Sequence, residues 1–427
     1  MQSAQAPVFL VLNTRGILDR LPEWFPDARG ELVVATTRSA LAGARFLDVA
    51  RRFRHLHIVE DFDHPDVEDE LAGLCGRFRV ERVLSTGERD LLCAARLRER
   101  LGLPGQDVAG ATAYRDKYVM KSVLRAAGVP VAPMRRIFGP DELEGFIGTF
   151  GYSVVARYLE STGSATLRVP GDTMGAPART TYPPRRAEAW VEGAFYQVNG
   201  LMDSGRIVLG QPSHHPYSDW FSLAFDAPSM SGMLPAGHPL GARLLESAAA
   251  VIAALPAVPG LSAFRTEFFH TADDRLVLGE AACRPGDSPL VDTHEAALGV
   301  NLHRATLLGQ AGRGHLVALP DPAAAPRPRL GYAGFPPARG VLRELPRHCP
   351  LPRVVSYTAR GEVGRAYDGA RSLGPRIAEV VFTLSGPDVG AELREFEEWW
   401  DNSVVWEERG TASPWGYAPA RGGLRAP

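Results

Sequence analysis

Lysine is almost absent from this chain. Of its 47 Lys+Arg residues only Lys117 and Lys121 are lysines. Arginine therefore serves as the general cation, and a lysine kept in such a background marks a place where a compact ammonium suits better than a planar guanidinium. Cysteine is scarce too. Cys75, Cys93, Cys283 and Cys349 stand far apart with no C-x-x-C, which argues against a disulfide framework and a zinc cluster and points to a reducing cytoplasm. No run of about 18 apolar residues is available to span a bilayer. The first residues lack the basic region and long apolar run expected of a signal peptide. Net charge is −2, so no electrostatic footprint for nucleic acid or an acidic membrane is visible. What remains is an ordinary globular composition, 45% apolar and 22% charged, over 427 residues, enough for several packed units.

Short apolar runs at 8–12, 31–36, 56–60 and 80–85 alternate with helical patterns at about 39–53, 66–77 and 88–102. That order predicts βαβ units and a parallel sheet. No G-x-G-x-x-G follows the first strand, so the dinucleotide-binding fingerprint is missing. Thr86-Gly87-Glu88 falls at the C-terminal end of the fourth strand, where such sheets bind ligands, although Glu88 is equally placed to act as a helix cap. A helix is expected over 114–127, ended by Gly128 and Pro130, then strands over 150–169 and 188–210. The stretch 211–240, with His214, His215, Tyr217, Trp220 and His238, reads as a long loop and the expected source of substrate choice. A helix over 241–255 and a hairpin over 261–284 follow. Alternating His55 and His57 lack further ligands for a metal, Cys283 reads as a small core residue, and Phe396, Trp399, Trp400 and Trp406 read as helix packing.

The hairpin carries the clearest chemistry. A turn centred on Asp273-Asp274 sets Glu267 opposite Glu280, and period 2 puts Arg265, Ala282 and Arg284 on the same face. Facing carboxylates repel by roughly 1 to 4 kcal/mol at about 4 Å, depending on the local dielectric, unless a cation lies between them. Such a pair suits Mg²⁺ with phosphate oxygens, and the arginines suit anions that arrive with it. A surface hairpin held by salt bridges explains the same residues. Three further segments matter in combination. Arg157 ends a strand before Glu160-Ser161-Thr162-Gly163-Ser164, a small-residue loop able to aim N–H groups at phosphate. Lys117 and Lys121 share one helix face. Glu188 with Ala189, Trp190 and Val191 offers a strand edge to a flat heterocycle.

Together and in this order, these segments resemble the ATP-grasp superfamily over about residues 80–310, most of all its L-amino acid ligase branch. Arg115-Asp116-Lys117 through Gly128-Val129-Pro130 resembles the family's opening motif, and Glu280 to Gly286 (EAACRPG) its metal motif. The resemblance implies an N-terminal parallel-sheet α/β domain over 1–113. It further implies a two-lobed ATP-grasp fold over 114–205 and 206–325, and a small C-terminal domain over 326–427. It implies ATP and Mg²⁺ (or Mn²⁺) as cofactors. Lys117, Arg157 and the loop Thr162, Gly163 and Ser164 would hold phosphates. Glu188 and the backbone of Ala189 to Val191 would hold adenine. Glu267 and Glu280 would be metal ligands, with Arg265 and Arg284 supporting the transferring phosphoryl group and the substrate carboxylate. Departures stand at Phe195, where the family has a ribose-binding Glu that Glu192 would have to replace, and at Ala282, where many members have Asn.

The activity implied is phosphorylation of a carboxylate to an acyl phosphate and its coupling to an amine, with ADP and phosphate released. The partners are small molecules, with no nucleic acid and no membrane, and a homodimer is left open. The alternatives are transfer to a carrier protein or another acceptor, and a nucleotide-binding homologue without catalysis.

Overall fold

The computed structural model describes residues 6–41, 46–150, 154–158, 166–169, 185–218, 227–286, 288–321, 328–370 and 376–407. Four buried strands open the chain: β1 (Phe9–Asn13), β2 (Leu32–Thr37), β3 (His55–Val59) and β4 (Arg82–Ser85). They form a parallel sheet in the order β3-β2-β1-β4. The expected βαβ alternation is there, with helices Val67–Phe78 and Leu91–Leu101 where the periodicity put them. The helix expected over 39–53 is in its described part a short turn at Ser39–Leu41 and a helix at Phe46–Ala50.

A second, antiparallel sheet holds β5 (Met134–Ile137), β6 (Val154–Tyr158), β7 (Thr166–Val169) and β8 (Arg185–Ala189) in the order β5-β8-β6-β7. One of its faces is closed by Ile137, Leu143, Phe146 and Ala187. The largest sheet collects β9 (Ala194–Asp203), β10 (Arg206–His215), β11 (Ser229–Met233), β12 (Leu261–His270) and β13 (Leu276–Ala282). From later in the chain it adds β14 (Arg329–Phe335), β16 (Val354–Ala359) and β18 (Ala378–Leu384), in the order β13-β12-β9-β10-β11-β14-β18-β16. A small sheet of β15 (Arg339–Glu344), β17 (Ala366–Asp368) and β19 (Val405–Glu407) completes the list of strands among the described residues. Helix Val389–Ser403 packs on the large sheet through rings, Phe382 on Phe396 at 3.7 Å and Phe335 on Trp400 at 4.0 Å between centroids. Among the described residues no helix is long and apolar enough to cross a membrane.

One expectation is corrected. The stretch 211–240 is not a single loop: β10 runs on to His215, and β11 lies between β10 and β14. The segment Ser229–Met233 (SMSGM) has no β-branched residue, so its own propensity gave no sign of a strand. Burial decides instead, with Gly232 leaving room for Val389, Leu384 and Leu393, which would all crowd a Cβ there.

The parallel sheet is docked onto the large one by helix Leu302–Gln310. The Gln310 amide meets the exposed edge of β4 as a neighbouring strand would: the Ser85 N–H donates to Oε1 at 2.8 Å, and Nε2 donates to the Ser85 carbonyl at 2.9 Å. Arg313 adds a fork onto Glu31 at 2.6 and 3.1 Å. On its other side the helix touches β12 so closely that a Cβ on Gly309 would stand 1.8 Å from the Leu261 carbonyl oxygen. Gly309→Ala is therefore expected to destabilise the protein by about 1–3 kcal/mol through forced separation of helix and strand. A chemical-denaturation midpoint equal to that of the parent protein would contradict this packing.

Candidate active site

Helix Lys117–Ala126 begins the site. Asp116 caps it, accepting from the N–H of Tyr118 at 2.8 Å and of Val119 at 3.1 Å. A rigid first turn of this kind fixes the direction of the one face that carries both lysines. Each lysine reaches a different sheet. Lys117 Nζ pairs with Glu280 Oε2 on β13, and Lys121 Nζ pairs with Glu188 Oε1 on β8. The two lysines of the whole chain thus both end on glutamates that the motifs singled out.

The hairpin register places Glu267 opposite Glu280 and Arg265 opposite Ala282, as the turn reading expected. Closer to the turn the pairing slips by one residue, Phe268 facing Leu278, so a bulge at Gly279 separates the site half of the hairpin from its tip. Arg265 lies between the carboxylates, its Nη2 3.2 Å from Glu267 Oε1 and 3.5 Å from Glu280 Oε1. All three side chains are largely buried, 9 to 14% exposed. Burial would raise the Glu280 carboxyl, but Lys117 and Arg265 outweigh it and hold the group well below the usual carboxylate range. β9 extends this face. Gln197 stands opposite Glu267 and donates to its Oε1 at 3.4 Å, and Asn199 donates to the Gln197 Oε1 at 3.2 Å. Gln197 and Asn199 were not singled out in the sequence, since only strand pairing reveals which residues neighbour the acidic pair.

Arg284 lies within electrostatic reach of Glu280. Its Nε binds Glu88 Oε2, and the Glu88 carbonyl accepts from Arg115. Burial pushes the Glu88 carboxyl up and Arg284 pulls it down, with the pull prevailing. Of the two readings of Thr86-Gly87-Glu88, the ligand-edge one fits better. Helix Leu91–Leu101 has Asp90 at its cap position, and Glu88 instead bridges the parallel sheet to the residue after β13.

The other expected residues fall as follows. Glu188 is buried, and besides Lys121 it meets Arg186 Nη2 at 3.1 Å. Arg157 pairs through its backbone with Arg186. Thr162, Gly163 and Ser164 lie outside the described residues, as does Trp220. Ala189 hydrogen-bonds through its N–H to the Pro133 carbonyl at 2.9 Å. Trp190, Val191 and Glu192 line a groove of about 460 Å³ against Pro130 and Val131. Phe195 is core, packed against Phe269 at 5.1 Å and His215 at 5.8 Å. His214 is half-buried beside Tyr196 on the sheet's other face, its pKa lowered by desolvation to about 4. His238 only accepts from the Leu240 N–H at 3.2 Å in a turn. His57 pairs with Glu70 at 2.6 Å, and Cys283 is buried beside Gln106.

Two facing carboxylates with cations on either side are the donor set that a hard divalent ion accepts when phosphate oxygens and water complete its shell. No group of three or more His, Cys, Asp or Glu that could hold a metal occurs among the described residues.

No family model matches the chain. The alanine–anticapsin ligase of Bacillus subtilis is 26% identical over 166 residues, 34% of this chain and 35% of that protein. The L-arginine-specific L-amino acid ligase of the same organism is 21% identical over 310 residues, 68% of this chain and 71% of that protein. The chain thus spans about a third of the length of the first relative. The solved L-amino acid ligase of Bacillus licheniformis superposes with a TM-score of 0.70 at 14% identity, over 95% of this chain and 100% of that one. The chain shares the fold of these ligases, and its sequence similarity runs to ATP-grasp ligases, L-amino acid ligases among them.

The ion pairs give this site a defined pH response. The folded-state pKa of Glu280 lies below its ordinary value of 4.5, so its stabilisation is complete above that value and is lost as the pH falls through the depressed one. Glu280→Gln is expected to lower stability by about 1–3 kcal/mol near neutrality. The gap should close below the ordinary value, and denaturation midpoints of both proteins between pH 7 and 3 measure it. A gap that widens on acidification would refute the assignment.

Proposed function

We propose that the protein is an ATP-dependent carboxylate–amine ligase acting on amino acids or small peptides. The observation that carries the reading is the Glu267–Glu280 pair, bridged by Arg265 and reached by Lys117. A carboxylate is a poor electrophile toward an amine in water. Transfer of the γ-phosphoryl group of ATP to one carboxylate oxygen releases ADP and gives an acyl phosphate. An amine then attacks the acyl carbon, the C–O bond to phosphate breaks, and an amide and inorganic phosphate leave. The protein's part is positioning and charge stabilisation.

In this scheme Glu267 and Glu280 would hold Mg²⁺, or Mn²⁺ in its place, which would supply positive charge to the phosphates of the nucleotide. Lys117 occupies the cation position beside Glu280 and exchanges the carboxylate for a phosphate oxygen when nucleotide binds. Arg157 and the loop Thr162 to Ser164 complete the phosphate cradle. The backbone of Ala189 to Val191 receives adenine. Glu188 accepts from the adenine amino group in this reading. Arg265 offsets charge on the transferring phosphoryl group, and Arg284, held by Glu88, orients the carboxylate substrate. A cytoplasmic setting suits the four free thiols.

An ADP-release assay over paired amino acids, with product masses read afterwards, tests the proposal. Release that needs both a carboxylate and an amine is expected, and Glu280→Ala should cut it by at least about 10²-fold. Unchanged turnover in that variant would remove the metal assignment. No release with any acceptor would favour a nucleotide-binding role without catalysis.

A further inference from the structure

One buried group beside this site has no part in the reaction as drawn. His294 lies on helix Ser288–Leu298, which follows Arg284 in the chain, and the residue is 2% exposed. Its Nδ1 is 2.9 Å from the Leu290 carbonyl oxygen. A carbonyl only accepts, so Nδ1 carries the hydrogen and Nε2 carries a lone pair. That Nε2 is shielded from solvent and has no hydrogen-bond partner among the described residues. A buried acceptor left in this state is costly, which calls for a donor that the described protein residues do not provide.

A second observation gives the donor an address. His215 is on β10, two residues from Ser213, which pairs with Gln197 beside Glu267. Its Nε2 is 3.0 Å from the Ser231 hydroxyl on β11. Burial first, then the fields of His214, Arg265 and His294, hold the His215 imidazole neutral. His215 therefore lies within electrostatic reach of both Arg265 and His294. Among the described residues no carboxylate pairs with either ring. Glu295, next along the helix, turns away to Arg20 and Asn301.

We propose that His294, with the His215–Ser231 pair, forms a side-chain subsite for one of the two substrates, and that it takes an uncharged group bearing an N–H or O–H donor, such as a hydroxyl or a carboxamide. The inference rests on the ligase reading and adds to it a substrate class. An anionic side chain would face the Nε2 lone pair, and a second cation would face Arg265 without a free carboxylate to balance it. An apolar side chain would leave Nε2 unmade.

The test is ADP release over amino acid pairs. Serine, threonine, asparagine or glutamine in one of the two positions should exceed leucine, lysine and aspartate there by at least about tenfold in kcat/KM. His294→Leu should raise KM for that substrate by about tenfold, more than it lowers kcat. It should leave KM for ATP and for the other substrate in place and should not lower the thermal midpoint. His294→Gln, which keeps an acceptor, should recover part of the preference. Should His294→Leu fail to fold, Ser231→Ala carries the same KM test. A preference for donor groups that survives His294→Leu, or KM rising equally for every substrate, overturns the subsite. Turnover blind to the donor group sinks the subsite alone, whereas no ADP with any pair sinks the ligase reading along with it.

Discussion

Two like charges brought face to face on a buried strand pair set the terms for the rest of this molecule. Glu267 and Glu280 are opposite each other because the β12–β13 register allows nothing else. Their repulsion, roughly 1 to 4 kcal/mol at about 4 Å, has to be met by positive charge from outside the hairpin. Arg265 meets part of it from the same strand, and Lys117 meets the rest from a helix on another part of the chain. The helix cannot be placed freely, since four residues on it must also deliver Lys121 to Glu188. Charge neutralisation at one glutamate pair thereby ties the small antiparallel sheet to the large one.

Buried ion pairs of this kind are weak evidence for stability, because desolvation offsets most of the attraction. Their value here is in placement. Each can be remade with a phosphate or a metal ion, whereas an apolar contact at the same position could not. The Glu88–Arg284 pair ties the parallel sheet to the same centre in the same way, and Gln310 and Arg313 reinforce that joint with neutral and charged hydrogen bonds. Three parts of the chain meet at one group of charges.

Much of this was legible in the sequence, and for identifiable reasons. Parallel strands buried on both faces read as unbroken apolar runs, so β1 to β4 were visible. The Glu267–Glu280 pairing followed from period 2 and one turn, even though the bulge at Gly279 shifts the register nearer the tip. The rarity of lysine pointed to Lys117 and Lys121 before any geometry was available. What was hidden depended on partners distant in sequence. β11 reads as loop because its residues lack strand propensity and gain their place from neighbours on both sides. Gln197 and Asn199 became site residues only through alignment of β9 with β12. Arg284 was expected on the hairpin face and is turned to Glu88, some 200 residues earlier, a contact no local pattern encodes.

The most direct test is a crystal structure of the protein with Mg²⁺ and a non-hydrolysable ATP analogue. The account predicts metal on the carboxylates of both Glu267 and Glu280, with the Lys117 ammonium moved from Glu280 to a phosphate oxygen and Lys121 still on Glu188. Metal bound elsewhere while Lys117 stays on Glu280 would contradict it.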